Sequence, residues 1–263
     1  MSNPQSQIAA QLQGTKSLSL SPSWLDSFIA SSSASLQRNV PISALTQTAL
    51  FRVLASDFRD TLTTTSPSSI LPIDIFDTNV KERRLDGPIP VQVLDIEDIG
   101  TGLWSQIEAL ERVERGEAIR GREIVRTVNV GEDSEERENN ANTSNNNNGN
   151  SNTGPSGISG TSDGPHRLIL QDAAGTRTVA IELKRINELA IGKSPIGVKM
   201  VLRNATVARG MVLLMPESVT VLGGKIEVLD REWKEKRKAR LLARVGETER
   251  GEQRQTNGEA VQE

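Results

Sequence analysis

Apolar residues recur at helical spacing twice near the N-terminus. Trp24, Leu25, Phe28 and Ile29 stand at i, i+1, i+4 and i+5 behind Ser21-Pro22-Ser23, and Ser23 with Asp26 has the form of a capping box. From Ser43, just after Pro41, the positions Leu45, Ala49, Leu50, Val53, Leu54, Phe58 and Leu62 keep one stripe until the Thr/Ser/Pro run of Thr63 to Ser69 stops it. The two stripes predict a small helical bundle over 18–64. So short a segment makes a poor core alone, so the bundle is expected to dock on the rest of the chain. Residues 1–17 are polar and are expected to form a disordered N-terminus. Residues 65–87, with Pro67, Pro72 and Gly87-Pro88, read as a connector.

The period then changes to that of strands. Ile89 to Ile99 alternates, with Val91, Val93 and Ile99 among its apolar positions, and Gly100-Thr101-Gly102 breaks it. Leu103 to Ala118 returns to helical spacing through Leu103, Ile107 and Leu110. Glu108–Arg112 and Glu111–Arg115 are favourable i,i+4 pairs there. Glu123 to Val130 is strand-like. Residues 131–164 begin with acids, and Asn then fills nine of the fourteen positions from Asn139 to Asn152. This stretch has no apolar area to bury and is expected to be disordered.

His166–Gln171 and Thr176–Leu183 flank Asp172-Ala-Ala-Gly175 as a hairpin, and Lys184–Ala190 reads as a short helical connector. Three more apolar runs follow: Val198–Val207, Met211–Met215 and Val219–Leu222. A charged helix is expected over 226–244, with a disordered tail at 245–263. Five strands with a helix between the third and fourth have the order of an OB-fold. The predicted class is α+β: the helical bundle, then an OB-fold barrel over 88–225 with a long insertion (100–165) between its first two strands, then the C-terminal helix.

Composition narrows the function. The chain has 263 residues, with 31 Lys+Arg against 34 Asp+Glu and a net charge of -3, so it is neither a strongly basic nucleic-acid module nor a polybasic membrane binder. With no cysteine and only His166, thiolate chemistry, Cys-ligated zinc and multi-His metal sites are excluded. Gly223-Gly224-Lys225 fails as a Walker A loop, because Val219 and Ile226 stand where glycine and Ser/Thr are needed. No enzyme activity, cofactor or metal is expected. Asp95 and Glu97 share a strand face and read as a solvated one. No secretory signal and no membrane span is readable, which points to an intracellular chain without a membrane partner.

Single-strand-binding OB-folds need stacking aromatics, and Trp104 is the one aromatic between Pro88 and Leu229. The barrel cations Arg167, Arg177, Lys184, Arg185, Lys199, Arg203 and Arg209 offer weak phosphate contacts at most. Candidate weak DNA contacts are Arg203 and Arg209, with Lys234, Arg237 and Lys238 on the last helix. A barrel without aromatics reads better as a protein-docking module. A single-stranded or junction DNA-binding protein is the alternative.

Residues 195–225 carry a resemblance. The Arg209-Gly210 step and the Leu-Leu-x-Pro-x-x-Val-x-Val-Leu-Gly-Gly run from Leu213 to Gly224 resemble the RecQ-mediated genome instability protein 1 family. Trp24-Leu25, Asp57-Phe-Arg-Asp-Thr-Leu62 and Pro90–Ile99 fit it too. The resemblance implies a non-catalytic nuclear subunit of a complex between a RecQ-family (Bloom-type) helicase and topoisomerase III. That complex dissolves double Holliday junctions in DNA repair, and the barrel insertion enters the topoisomerase gate. The chain's early end implies a short, fungal-type member without a second OB-fold. On this reading the candidate gate element comprises Leu103, Trp104, Ile107 and Leu110, on a helix that packs either on its own barrel or on the partner.

Overall fold

The computed structural model describes residues 3–32, 40–116 and 164–259, with side chains up to residue 250. The expected Glu123–Val130 strand and all but the last residue of the 131–164 stretch lie outside the described residues.

The N-terminal unit holds α1 (Pro4–Lys16), α2 (Pro22–Ser31), α3 (Ile42–Ala55) and α4 (Phe58–Thr61). Helix α1 corrects the disordered N-terminus expected over 1–17. Ile8 and Leu12 lie one turn apart and bury fully against the cluster of Leu25, Leu45, Ala49 and Val53, while the Asn3 side chain caps the first turn. Two apolar anchors in an otherwise polar helix make too sparse a stripe to read from sequence. Helix α2 starts two residues earlier than the Ser23 box implies, with Ser21 as its cap residue and Pro22 in its first turn. The second stripe is not one helix. Asp57 accepts a hydrogen bond from Arg59 N and restarts the chain as α4, which buries Phe58 completely.

The barrel comprises β1 (Arg83–Leu85), β2 (Ile89–Asp98), β3 (His166–Asp172), β4 (Arg177–Glu182), β5 (Lys199–Leu202), β6 (Ala205–Ala208), β7 (Met211–Leu214) and β8 (Val219–Gly223). Strand order is β1-β6-β7-β4-β3-β2-β5-β8, antiparallel except for β4 with β7. Only Arg203 and Asn204 separate β5 from β6. They act as one bent strand, and the ladder returns on itself as an OB-fold requires. Its interior is filled by Val91, Leu168, Leu170, Met200, Leu202 and Val212 among others.

Leu94 is a bulge in β2, where pairing with β3 shifts between Val93 and Asp95. The bulge changes the phase of the alternation. Ile96 therefore faces the core, while Ile99 lies outside the strand and is exposed. Arg209 and Gly210 turn β6 into β7 with φ of 46° and 79°, the two left-handed residues of a tight hairpin. The expected helix at Lys184–Ala190 is absent; turns carry the chain there. Ile186, Leu189 and Ile191 bury in the barrel's end, a spacing that imitates a helical stripe.

Helix α5 (Leu103–Glu114) opens the insertion, and α6 (Glu227–Glu259) follows the barrel. At 33 residues α6 is about 50 Å long and continues past the expected end at 244. Val245, one turn beyond Leu241, is buried against Ile107 and packs the first turn past that end.

The helical unit does dock on the barrel. Ala173 and Leu222 join its core, and Lys225 N donates to Leu54 O at 3.2 Å. Gly224, at φ 89°, lets the chains approach: a Cβ there would lie 2.4 Å from Leu54 O.

Candidate partner-binding site

The insertion leaves and re-enters the barrel through a hydrogen-bonded neck. On the outgoing side Asp98 Oδ1 accepts from Gly100 N at 2.8 Å and Thr101 N at 3.0 Å. Ile99 N donates to Pro165 O at 3.0 Å, joining the two roots. The buried Gln106 of α5 reaches back, its Nε2 donating to Asp98 O at 3.1 Å and Thr101 O at 2.8 Å. On the returning side His166 Nδ1 and Glu182 Oε2 lie 2.6 Å apart with both side chains withdrawn from water. Glu182 also accepts from His166 N and Ile186 N, so one carboxylate fastens β3, β4 and the following loop. These bonds fix the direction in which α5 leaves the barrel.

Helix α5 lies on α6. Ile107 is 3% exposed and packs on Leu241 and Val245, with Leu103 and Leu110 beside it. Lys238 pairs with Glu114 at 2.7 Å and Glu111 at 3.3 Å. Helix α6 is itself clamped to the barrel. Trp233 Nε1 donates to Asp95 Oδ1 at 2.5 Å, Arg240 to the same oxygen at 3.1 Å, and Arg244 pairs with Glu97 at 3.1 Å. The Asp95/Glu97 face is therefore not a solvated one; α6 covers it.

Own-chain packing thus buries Ile107 and half-buries Leu103 and Leu110. Trp104 points away at 62% exposed. Of the four candidate gate residues, Trp104 is the most exposed.

The candidate DNA contacts do not converge. Arg203 donates to Ser17 Oγ at 2.6 Å, at the joint between helical unit and barrel. Lys234 pairs with Asp230 at 2.6 Å, and Lys238 is taken by α5. Arg237 lies 5.5 Å over the Trp233 ring, where burial pushes its guanidinium below the usual range. Arg209 stands exposed in its turn.

Lys199, counted from sequence among the surface cations, is wholly buried. Its Nζ donates to Gln92 Oε1 at 2.9 Å and lies 4.9 Å over the Phe58 ring, and burial pulls its pKa down from 10.5 to about 7. Gln92 also accepts from Phe58 N, and its Nε2 donates to Asp57 and Gln171. Burial pushes the Asp57 carboxyl up, but hydrogen bonds from Arg59 and Gln92 outweigh it and hold it below the carboxylate range. Sequence reading missed this network and the Glu182 fastening. Their one signal is a polar residue at an inward-facing strand position.

Two family models cover both units. The model described as RMI1, N-terminal OB-fold domain matches residues 71–237, and RMI1, N-terminal helical domain matches residues 12–61. The chain belongs to the RecQ-mediated genome instability protein 1 family. It is similar to the RecQ-mediated genome instability protein 1 of Schizosaccharomyces pombe, 26% identical over 187 residues that cover 70% of this chain and 74% of that protein. It is also similar to the Xenopus laevis protein of the same name, 46% identical over 68 residues, 25% of this chain and 12% of that one. The family's OB-fold match runs through the neck, α5 and the start of α6 as far as residue 237, Trp233 included.

Proposed function

We propose that the chain is a non-catalytic nuclear subunit that acts in genome stability by holding topoisomerase III beside a RecQ-family helicase during double Holliday junction dissolution. Membership of the family carries this reading. The geometry that suits it is a helix fastened at the insertion's root with Trp104 turned outward. In this reading the barrel surface and α5 contact the topoisomerase, and the insertion modulates its DNA gate. The cations engaged within the chain weigh against an independent DNA-binding role.

The test is junction dissolution by the reassembled helicase, topoisomerase III and chain. Trp104→Ala reduces dissolution several-fold while the subunit's melting temperature holds. Unchanged dissolution removes α5 from the contact, and dissolution independent of the whole chain removes the reading.

A further inference from the structure

Three of the chain's seven aromatic residues meet on the helical unit, far in sequence from the insertion. Trp24 and Phe28 of α2 stack at 5.4 Å between centroids, 9° from parallel, and Arg52 of α3 lies 5.2 Å over the Phe28 ring. Phe51, beside Arg52, is 74% exposed, more than any other phenylalanine or tryptophan among the described residues. Together they line an open groove of about 410 Å³ between α2 and the end of α3, with the Ser31 and Ser56 hydroxyls at its rim.

Phe51 is not a lone exposed aromatic: it lines the same groove as the stacked Trp24–Phe28 pair, and contiguous exposed apolar surface marks interaction sites. Tryptophan, phenylalanine and arginine are also residue types enriched where protein surfaces meet. Arg52 is the one charged residue in the lining, so the groove is locally cationic. One of its nitrogens donates to Ser31 Oγ at 2.8 Å. A guanidinium has five N–H donors, which leaves a carboxylate room to dock.

We propose that this groove docks a short segment of another protein that carries an aromatic or leucine anchor next to a carboxylate. The anchor fills the space between Trp24 and Phe51, and the carboxylate meets Arg52. The volume suits one or two side chains of a short segment, whereas a stable dimer interface engages roughly 20–30 residues a side. Single-stranded DNA fits worse. One cation makes a poor phosphate track, and Trp24 already spends one ring face on Phe28. The inference does not depend on the topoisomerase reading, because the groove lies on α2 and α3 rather than on the insertion.

The test selects a phage-displayed random 12-residue peptide library on the full chain, then measures the enriched peptides by fluorescence anisotropy. The expected consensus is an Asp or Glu within one helical turn of Phe, Trp or Leu. Phe51→Ser weakens binding at least tenfold, and Arg52→Glu inverts the preference toward peptides with Lys in place of the acid. Phe51 is exposed, so Phe51→Ser leaves the melting temperature unchanged, and that measurement separates lost docking from lost fold. No consensus, a basic consensus, or binding indifferent to Phe51→Ser overturns the proposal. So does displacement of the peptide by a single-stranded oligonucleotide at equal affinity, or a dimer in sedimentation that Phe51→Ser dissolves.

Discussion

Lys199 Nζ donates to Gln92 Oε1 at 2.9 Å, and both side chains are fully buried at the joint between helical unit and barrel. The bond ties β5 to β2, and through Gln92 to the backbone of Phe58. Asp57-Phe58 and the Val-Leu-Gly-Gly224 run meet the joint at two contacts, Phe58 N on Gln92 and Gly224 against Leu54 O.

The Lys199 pKa of about 7 lies below its unfolded value of 10.5. Between those values the unfolded chain binds one more proton than the folded one. This lysine therefore makes stability rise with pH, by up to ~1.4 kcal/mol per unit across the window. Chemical denaturation from pH 6 to 10 should show that slope in the wild type relative to Lys199→Met. Identical profiles in the two proteins sink the assignment.

Ile107 and Trp104 sit one turn apart on α5 and should behave oppositely. Ile107→Ala opens the α5–α6 contact and costs about 2–4 kcal/mol locally, seen as faster hydrogen exchange in both helices. Trp104→Ala stays within ~0.5 kcal/mol. A stability loss at Trp104 equal to that at Ile107 contradicts the packing.

The legible parts of this fold were those with regular patterns. The β3–β4 hairpin shows through Asp172–Gly175 and the β6–β7 turn through Arg209-Gly210, because few residues adopt those turns. Helix α1 was hidden because Ile8 and Leu12 are its only buried positions, and the packing of α6 past 244 because it rests on one apolar residue, Val245. The acidic face of β2 was misread for a different reason. A charge looks the same in sequence whether it meets water or a helix from more than a hundred residues away, as Asp95 meets Arg240. In the candidate site the helix was readable, but which of its apolar residues turns outward depends on α6.

Asp230 anchors the start of α6. Its carboxylate accepts from Ile196 N at 3.0 Å and pairs with Lys234 and Lys225. Burial raises its pKa, and these partners more than reverse that, leaving it lowered. Its contribution is therefore present above the unfolded carboxylate value near ~4 and lost as pH falls through the lower folded value. Asp230→Asn should cost about 1–3 kcal/mol at pH 7, with the gap from wild type closing in strong acid. A gap that persists unchanged at pH 2 argues against it.

Single-stranded DNA should bind the isolated chain weakly. Of the five candidate contacts, Arg203, Lys234 and Lys238 are engaged internally, which leaves Arg209 and Arg237. Affinity at physiological salt should be micromolar or weaker, with a shallow salt slope. Nanomolar binding that disappears on joint Arg203→Glu and Arg209→Glu reversal makes the barrel a nucleic-acid platform instead.

We propose that topoisomerase III docks on the barrel and α5, and on that proposal the Asn-rich tract is dispensable. The most direct measurement is co-elution of purified chain and topoisomerase III by size exclusion, run with wild type and with a deletion of Asn139 to Asn152. The account predicts a stable complex with both. Failure of the wild-type chain to co-elute, or a complex lost with the tract alone, contradicts it.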